Sequence, residues 1–535
     1  MNAPCRFHKR HAGRQQEGFF SHEGVSACQK AWRGVTLRVQ SPAPTSLTPH
    51  SQAALILAGH GSTVNPDSSA PTHSHADRIR RMGVFREVVC CFWKEEPSMR
   101  EVYEMLESEV VYVVPNFISE GYFCQEVLPR ELRVTGPECR VGDKLVRYCD
   151  PVGIHPNMTR LLLQRADEVA PGVPRSETSL VIVGHGTNLN DNSTKAIKSQ
   201  VDLIKNGGHG FAEVLDAYME EAPLVAEWDK MTTAPNVVVV PFFIADGLHS
   251  YQDIPVLLGI AEDEGKAASQ SDVFRHNPHV LRGRSLYFSG AIGTEPLMAD
   301  VILDQVAEYE ARHGVKTADG CLRSAHAEWV ATQVGTTGLL VGQVQVTSEG
   351  GGYELRHAAD AGADGLRSFE GAAAAREQAW LDEKGGFRPL KSAPNLQRGW
   401  RVRVEDAAEL KLALDFLYPA AVGMAFAEAH GRLQSTPLRE LLGRQTGMYR
   451  FANKITDEQA CEIVGRVCDT ASKCARRIVW PLAAGLPLSG PAEAKAKPTA
   501  GPVPLLCMEA CPHVVSEARK VARQNHEASL PKVSV

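Results

Sequence analysis

The chain has 535 residues, 43% hydrophobic and 22% charged, with a formal net charge of −6 and a mean hydropathy of −0.20. That length holds three or so domains of roughly 100 to 200 residues; the acid excess argues against a general nucleic-acid binder, and no run approaches the ~20 apolar residues of a membrane span. Thirteen cysteines in so long and core-rich a chain indicate a reducing, cytoplasmic setting with some thiolates used as metal ligands, not a disulfide scaffold.

Residues 1–50 lack a sustained apolar period and an apolar signal core. They read as a disordered leader, or as a start codon assigned too early, in preference to a targeting signal. From residue 53 the pattern alternates. A strand over Ala53–Ala58 runs into Gly59-His60-Gly61-Ser62, and a polar helix containing His73, His75 and Arg78 follows. Then come a strand over Arg86–Trp93, a helix over Met99–Glu107 and a strand over Val110–Phe117. Alternation of this kind predicts a parallel sheet with helices on both faces.

The same order then returns. Leu180–Val183 ends in Gly184-His185-Gly186-Thr187, and Val237–Val240 runs through Pro241 into Gly247-Leu248-His249 and Asp253-Ile254-Pro255. His60 aligns with His185, Glu87 with Glu213 and Gly121 with Gly247, at a near-constant offset of about 126 residues, so one α/β unit is duplicated. In an open α/β sheet, ligands bind beyond the carboxyl ends of the strands. Flanking glycines permit tight turns there, and Gly247 is expected to turn the chain so that His249 is presented at a strand end. A lone histidine in such a place is more often a packed residue than a ligand. Two at neighbouring strand ends carry more weight.

The copies differ in chemistry. The first has Phe123 where the second has His249, and Phe92-Trp93-Lys94-Glu95-Glu96 where the second has Ala217-Tyr218-Met219-Glu220-Glu221. Glu220 therefore opposes Trp93 or Lys94, according to where a one-residue gap is placed. Only the second copy keeps two histidines and a carboxylate at strand ends.

Gly-His-Gly-Ser/Thr together with Gly-x-His-x-x-x-Asp-Ile-Pro resembles the CbiX-type sirohydrochlorin chelatases, class II chelatases, over roughly residues 53 to 310. The resemblance implies flavodoxin-like units that insert Co2+ or Fe2+ into a polycarboxylated tetrapyrrole. It assigns His185 and His249 as the metal-binding and proton-accepting pair and Glu220 as the carboxylate, with Glu221 as the competing choice. His60 matches the first motif and is a further metal-binding candidate. The chemistry is consistent: neutral imidazole suits divalent iron and cobalt, and a base must take the two pyrrolic protons that insertion releases. An open set of weak ligands also lets the ion go, which a closed thiolate cage does not.

Beyond about residue 315 the texture changes. Leu339–Thr347 and Tyr353–His357 read as a hairpin, Ala372–Glu383 as a helix, Trp400–Val404 as a strand, and Glu409–His430 as a long apolar helix interrupted by Pro419. No chemistry is evident there, and packing is the expected role. Five cysteines fall between 461 and 511. Cys468 and Cys474, with Cys507 and Cys511, form a four-thiolate set for a 4Fe-4S cluster or a structural zinc, and Cys461 is in reserve. A subset of the chelatase family with a stabilising domain and a C-terminal 4Fe-4S domain has a similar domain order, which favours the cluster.

The expected fold is therefore two tandem chelatase-like parallel-sheet α/β units, an α+β domain and a small helical Cys-rich domain. The expected boundaries are 1–50 leader, 51–170 and 176–315 for the two units, 316–450 and 451–535. The expected function is a cytoplasmic cobalto- or ferrochelatase acting on a tetrapyrrole, with no nucleic acid or membrane as partner; a homodimer is compatible with the sequence. The competing reading is a non-catalytic tetrapyrrole or metal carrier, or a redox or iron sensor.

Overall fold

The computed structural model describes residues 50–529 except 64, 187–191, 262–271, 316–323, 383, 392–393, 433–435, 446–448, 450, 468–503 and 506–508. The expected leader, apart from His50, lies outside the described residues. So do Cys468, Cys474 and Cys507.

The first unit comprises β1 (His50–Gly59), α1 (Ala70–Met82), β2 (Phe85–Phe92), β3 (Val110–Pro115), β4 (Glu138–Val141), β5 (Lys144–Tyr148) and α2 (Met158–Val169). The second repeats it as β6 (Thr178–Gly184), α3 (Asn192–Asn206), β7 (Glu213–Tyr218), β8 (Asn236–Pro241), β9 (His279–Leu281), β10 (Arg284–Phe288) and α4 (Met298–His313). The strand orders are β2-β1-β3-β5-β4 and β7-β6-β8-β10-β9. In both sheets every pairing is parallel except that of the antiparallel edge strand, β4 or β9. Strands buried on both faces must be apolar throughout, and Ala54–Ala58 and Leu180–Val183 are wholly buried.

The two units exchange their last helices. α2 packs on β8 of the second sheet, and α4 packs on β3 of the first. Hydrogen bonds sew the crossing: the Tyr112 hydroxyl donates to Glu310 Oε1 (2.6 Å), Gln305 Nε2 to the Pro151 carbonyl (2.8 Å), and His75 Nε2 to the Gly293 carbonyl (2.7 Å). Burial pushes His75 down to about 4, so its ring is neutral and donates from one nitrogen. Leu55, Tyr112, Ile182, Val240, Met158 and Ile302 thus share one core.

The opposite faces are covered differently. Trp228, Ile254 and Leu258 cover the second sheet from within its own unit. The first sheet buries Ile56 and Val113 in a cluster that continues into the third domain through Val330, Leu410 and Met424. This explains one departure from expectation: Met99–Glu107 is not a helix but contains a short 3-10 turn, Val102–Met105. Its apolar residues are buried in that interface instead of forming one helical stripe.

The third domain contains α5 (Ala325–Val334), β11 (Leu339–Val341), β12 (Val344–Glu349), β13 (Gly352–His357), β14 (Arg367–Glu370), α6 (Ala372–Trp380), β15 (Trp400–Val404), α7 (Ala407–Leu417) and α8 (Ala421–Ala429). Its sheet order is β11-β12-β13-β15-β14, antiparallel except for the parallel pair β14 and β15. The expected strand Leu339–Thr347 is two strands, because Gly342 takes a left-handed turn at φ 61 that few other residues accept. The expected long helix is two helices bent by 111° beyond Pro419. Among the described residues, no single helix is long and apolar enough to cross a membrane.

At the C-terminus, α9 (Asp457–Val467) packs on α10 (Pro512–Ser529). Arg466 pairs with Glu517 (3.7 Å), and Gln459 Nε2 donates to Asn525 Oδ1 (2.9 Å), so the two helices run antiparallel.

Candidate metal site at the end of the second sheet

β6 ends at Gly184, and the next two residues turn sharply. A Cβ on Gly184 would lie 2.2 Å from Ile197 Cδ1; one on Gly186, which sits at φ +72, would lie 2.7 Å from Glu221 Cγ. The left-handed backbone at Gly186 calls for glycine, Gly184 leaves room for the Ile197 side chain, and His185 between them is left partly exposed. Gly247 does not take the role expected of it. It is outside the left-handed region and its missing Cβ would meet nothing within 4 Å. His249 is instead presented by the π-turn His249–Asp253 that opens the following helical segment.

The structure brings three of the candidate residues together. The rings of His185 and His249 lie 5.0 Å apart, edge to face. Glu220 Oε2 is 3.7 Å from His185 Nδ1, and the Glu220 amide donates to the His185 carbonyl (3.1 Å). Glu221 points elsewhere: it accepts from the Thr194 hydroxyl (2.7 Å) beneath the Gly186 turn. The geometry thus puts Glu220, not Glu221, beside the pair.

The tautomers follow from the acceptors. His249 Nδ1 is 2.6 Å from Asp253 Oδ2, and His185 Nδ1 is 3.0 Å from the Gly186 carbonyl. Each acceptor calls for a proton on Nδ1, which leaves both Nε2 lone pairs available to a metal ion or a proton. Among the described residues, no three His, Cys, Asp or Glu side chains already converge on a single ion position. The arrangement is two imidazoles with an exposed carboxylate beside them, not a closed cage. Sequence reasoning gave Asp253 no role; its signal was its place four residues after His249.

The first copy has the same backbone and other side chains. The Lys94 amide donates to the His60 carbonyl (3.0 Å) just as the Glu220 amide donates to that of His185, so Lys94 stands opposite Glu220 and Glu95 opposite Glu221. His60 faces Trp93 (5.4 Å) and Phe123 (5.0 Å), and burial lowers its pKa. Among the described residues it belongs to no group of three or more His, Cys, Asp or Glu side chains converging on one ion position. Glu95 accepts from the Ser62 amide (3.2 Å), and burial pushes its carboxyl up to about 8. A surface groove lined by Asn157, Arg160, Gln164 and His209 contains none of these residues.

Of the four expected cluster ligands, Cys511 is described; it directly precedes α10, and its carbonyl accepts from the Val515 amide (3.0 Å). Val467, the last residue of α9, packs against the same small core as Cys511, with Ile463 and Val514. The chain therefore leaves α9 toward position 468 at the end of the helix pair where Cys511 enters α10. A thiolate donor at Cys511 suits a cluster; the other three expected ligands lie outside the described residues. Cys461 also packs against this core. The Ser98 hydroxyl donates to Glu509 Oε2 (2.5 Å), and Arg100 Nη2 to the Arg444 carbonyl (2.8 Å), docking this domain on the first unit.

The CbiX family model matches residues 54–169 and again 179–309. A DR2241 stabilising domain is matched over 325–429 and a 4Fe-4S iron-sulfur cluster binding domain over 430–520. A probable sirohydrochlorin cobaltochelatase of Halobacterium salinarum is 42% identical over 279 residues, 49% of this chain and 93% of that one. The sirohydrochlorin cobaltochelatase of Methanopyrus kandleri is 25% identical over 140 residues, 24% of this chain and 95% of that one. Among solved structures, DR2241 from Deinococcus radiodurans, a multi-domain protein with structural similarity to chelatases, aligns with a TM-score of 0.71 at 28% identity, over 89% of this chain and 100% of that one. With the family model matched twice and nearly the whole of a 42% identical relative covered, the chain belongs to the CbiX family, extended by a stabilising domain and a 4Fe-4S-binding domain.

Proposed function

We propose that the protein is a metallochelatase that inserts Co2+ or Fe2+ into sirohydrochlorin, and that the second unit loads the metal. The observation that carries this reading is the His185 and His249 pair, with rings 5.0 Å apart and each Nδ1 engaged by an acceptor. The relatives' names supply the substrate class. Two neutral imidazoles bind a divalent first-row ion without enclosing it, so the ion can pass to the four pyrrolic nitrogens. As it enters, two pyrrolic protons leave. A histidine nitrogen vacated by the metal, or the Glu220 carboxylate beside His185, accepts them. Imidazole suits both ions, so the choice between Co2+ and Fe2+ rests on availability and on the macrocycle. Insertion transfers no electrons, so the step itself calls for no redox role of the 4Fe-4S-binding domain.

The test is anaerobic insertion of Co2+ and of Fe2+ into sirohydrochlorin, followed optically. Wild type is expected to turn over, His249→Ala to fall to the uncatalysed rate, and His60→Ala to keep its turnover at saturating tetrapyrrole. A wild type no faster than the uncatalysed reaction would sink the reading, and a carrier or sensor would take its place.

A further inference from the structure

The first unit keeps His60 at the place of His185 but carries other chemistry at the rest of the site. Phe123 stands at the place of His249, Trp93 at that of Met219 and Lys94 at that of Glu220. Trp93 and Phe123 lie 5.2 Å apart, edge to face, Phe117 stacks on Phe123 at 5.8 Å, and the largely exposed Tyr122 meets its edge at 6.3 Å. Trp93 and Phe123 are only half-buried. The Lys94 ammonium sits 3.7 Å from the centre of the Trp93 ring. Among the described residues it has no carboxylate partner.

The two histidine motifs border one junction. Asn65, in the loop that follows His60, donates to the Tyr251 hydroxyl (2.8 Å) in the turn that presents His249. Reciprocally, Asn192, in the segment that follows His185, donates to the Glu120 carbonyl (2.6 Å) in the turn that precedes Phe123. The carboxyl ends of both sheets therefore meet, with a pair of imidazoles on one side and an aromatic surface with one cation on the other.

We propose that the first unit holds the macrocycle: the planar, polycarboxylated tetrapyrrole packs against the aromatic surface that Trp93 and Phe123 form edge to face and places a carboxylate on Lys94, leaving its other face to His185 and His249. This division of labour rests on the chelatase reading. It follows from three complementarities: a flat conjugated ring prefers an aromatic wall, an ammonium with no carboxylate beside it gains from one, and a ring covered on one face admits the metal from the other. A second metal site in the first unit would compete for the ion; an aromatic wall does not.

Metal-free binding separates this inference from the chelatase reading. Full-length protein is titrated with sirohydrochlorin without oxygen or added metal, and binding is read from the absorbance of the macrocycle. Trp93→Leu and Lys94→Glu are each expected to weaken binding ~10-fold or more, about 1.4 kcal/mol or more, and to raise KM with kcat little changed. Lys94→Glu alters only a charge on a partly exposed side chain, so it keeps the test open should Trp93→Leu fold poorly. His249→Ala is expected to bind the macrocycle within about twofold of wild type while inserting no metal. The proposal is overturned if Lys94→Glu binds as tightly as wild type, or if His249→Ala loses the macrocycle instead. A wild type that inserts metal but shows no dependence on Trp93 or Lys94 leaves the chelatase standing and removes the wall.

Discussion

Asp253 decides which nitrogen of His249 is available. Its carboxylate, 2.6 Å from Nδ1, holds the proton there and points the Nε2 lone pair outward. An asparagine in its place removes the charge and can present an N–H to the same nitrogen. Asp253→Asn is therefore expected to lower metal insertion ~10- to 100-fold with an unchanged melting temperature. Insertion at the wild-type rate would show that the contact orients nothing. Glu95 carries a different prediction. Its carboxyl, pushed up to about 8 by burial from an ordinary 4.5, stays protonated in the folded chain while the unfolded chain ionises. The unfolded state binds fewer protons across that window, so wild-type stability falls as pH rises from about 4.5 to 8. Glu95→Gln is neutral throughout. It is expected to melt with wild type at pH 5 and above it at pH 8.5, by several degrees, on the order of a few kcal/mol; equal curves at both pH values would refute the assignment. At this scale the sequence pointed to residues that the structure brings together, His185, His249 and Glu220, but not to the directions of their side chains. Glu220 and Glu221 are adjacent in the chain, and only the Thr194 hydroxyl and the Gly186 turn separate their roles.

The elements that were plain in the sequence are those with a strong local period. β1, β6 and β8 announce themselves as β-branched runs because both faces of a parallel strand are buried. The elements that were misread owe their form to distant partners. The segment around Val102–Met105 is shaped by the third domain, and the α7–α8 run breaks because Ala420, in the left-handed region at φ 60, turns the chain beyond Pro419. Lys411 on α7 anchors that interface: Nζ is 2.8 Å from Asp415 Oδ2 and donates to the Met105 carbonyl (2.6 Å) of the first unit. Asp415 is 1% exposed, so removing its partner strands a buried charge. Lys411→Met is expected to cost about 3–5 kcal/mol, and adding Asp415→Leu to recover much of it, measured by chemical denaturation. If the double variant is no more stable than the single one, the two residues do not act as a pair.

The whole molecule is an interlocked pair of units carrying two further domains on the first of them. The duplication could be read from three landmarks, but the exchange of α2 and α4 could not. Nothing in either helix says which of two like sheets it will cover, because both present the same kind of apolar face. The docking of the 4Fe-4S-binding domain through Ser98 and Arg100 was equally hidden, since single polar contacts leave no pattern in a sequence. That docking has a direction: the stretch that begins at Trp93 ends at the contact with Glu509, two residues before Cys511. The cluster domain is thus joined, through that stretch, to the aromatic side of the junction, opposite the histidine pair.

The exchanged helices have a consequence for how such a protein diverges. Where one unit pairs with an identical copy of itself, every substitution appears on both sides of the junction, so a better surface for one reactant is also imposed on the other. Joining two units in one chain, with each strapped to its neighbour by the other's last helix, keeps the junction intact while freeing the sides to vary independently. Phe123 and His249 record that freedom: equivalent positions, now chemically unlike. Symmetry kept the architecture, and its loss allowed specialisation.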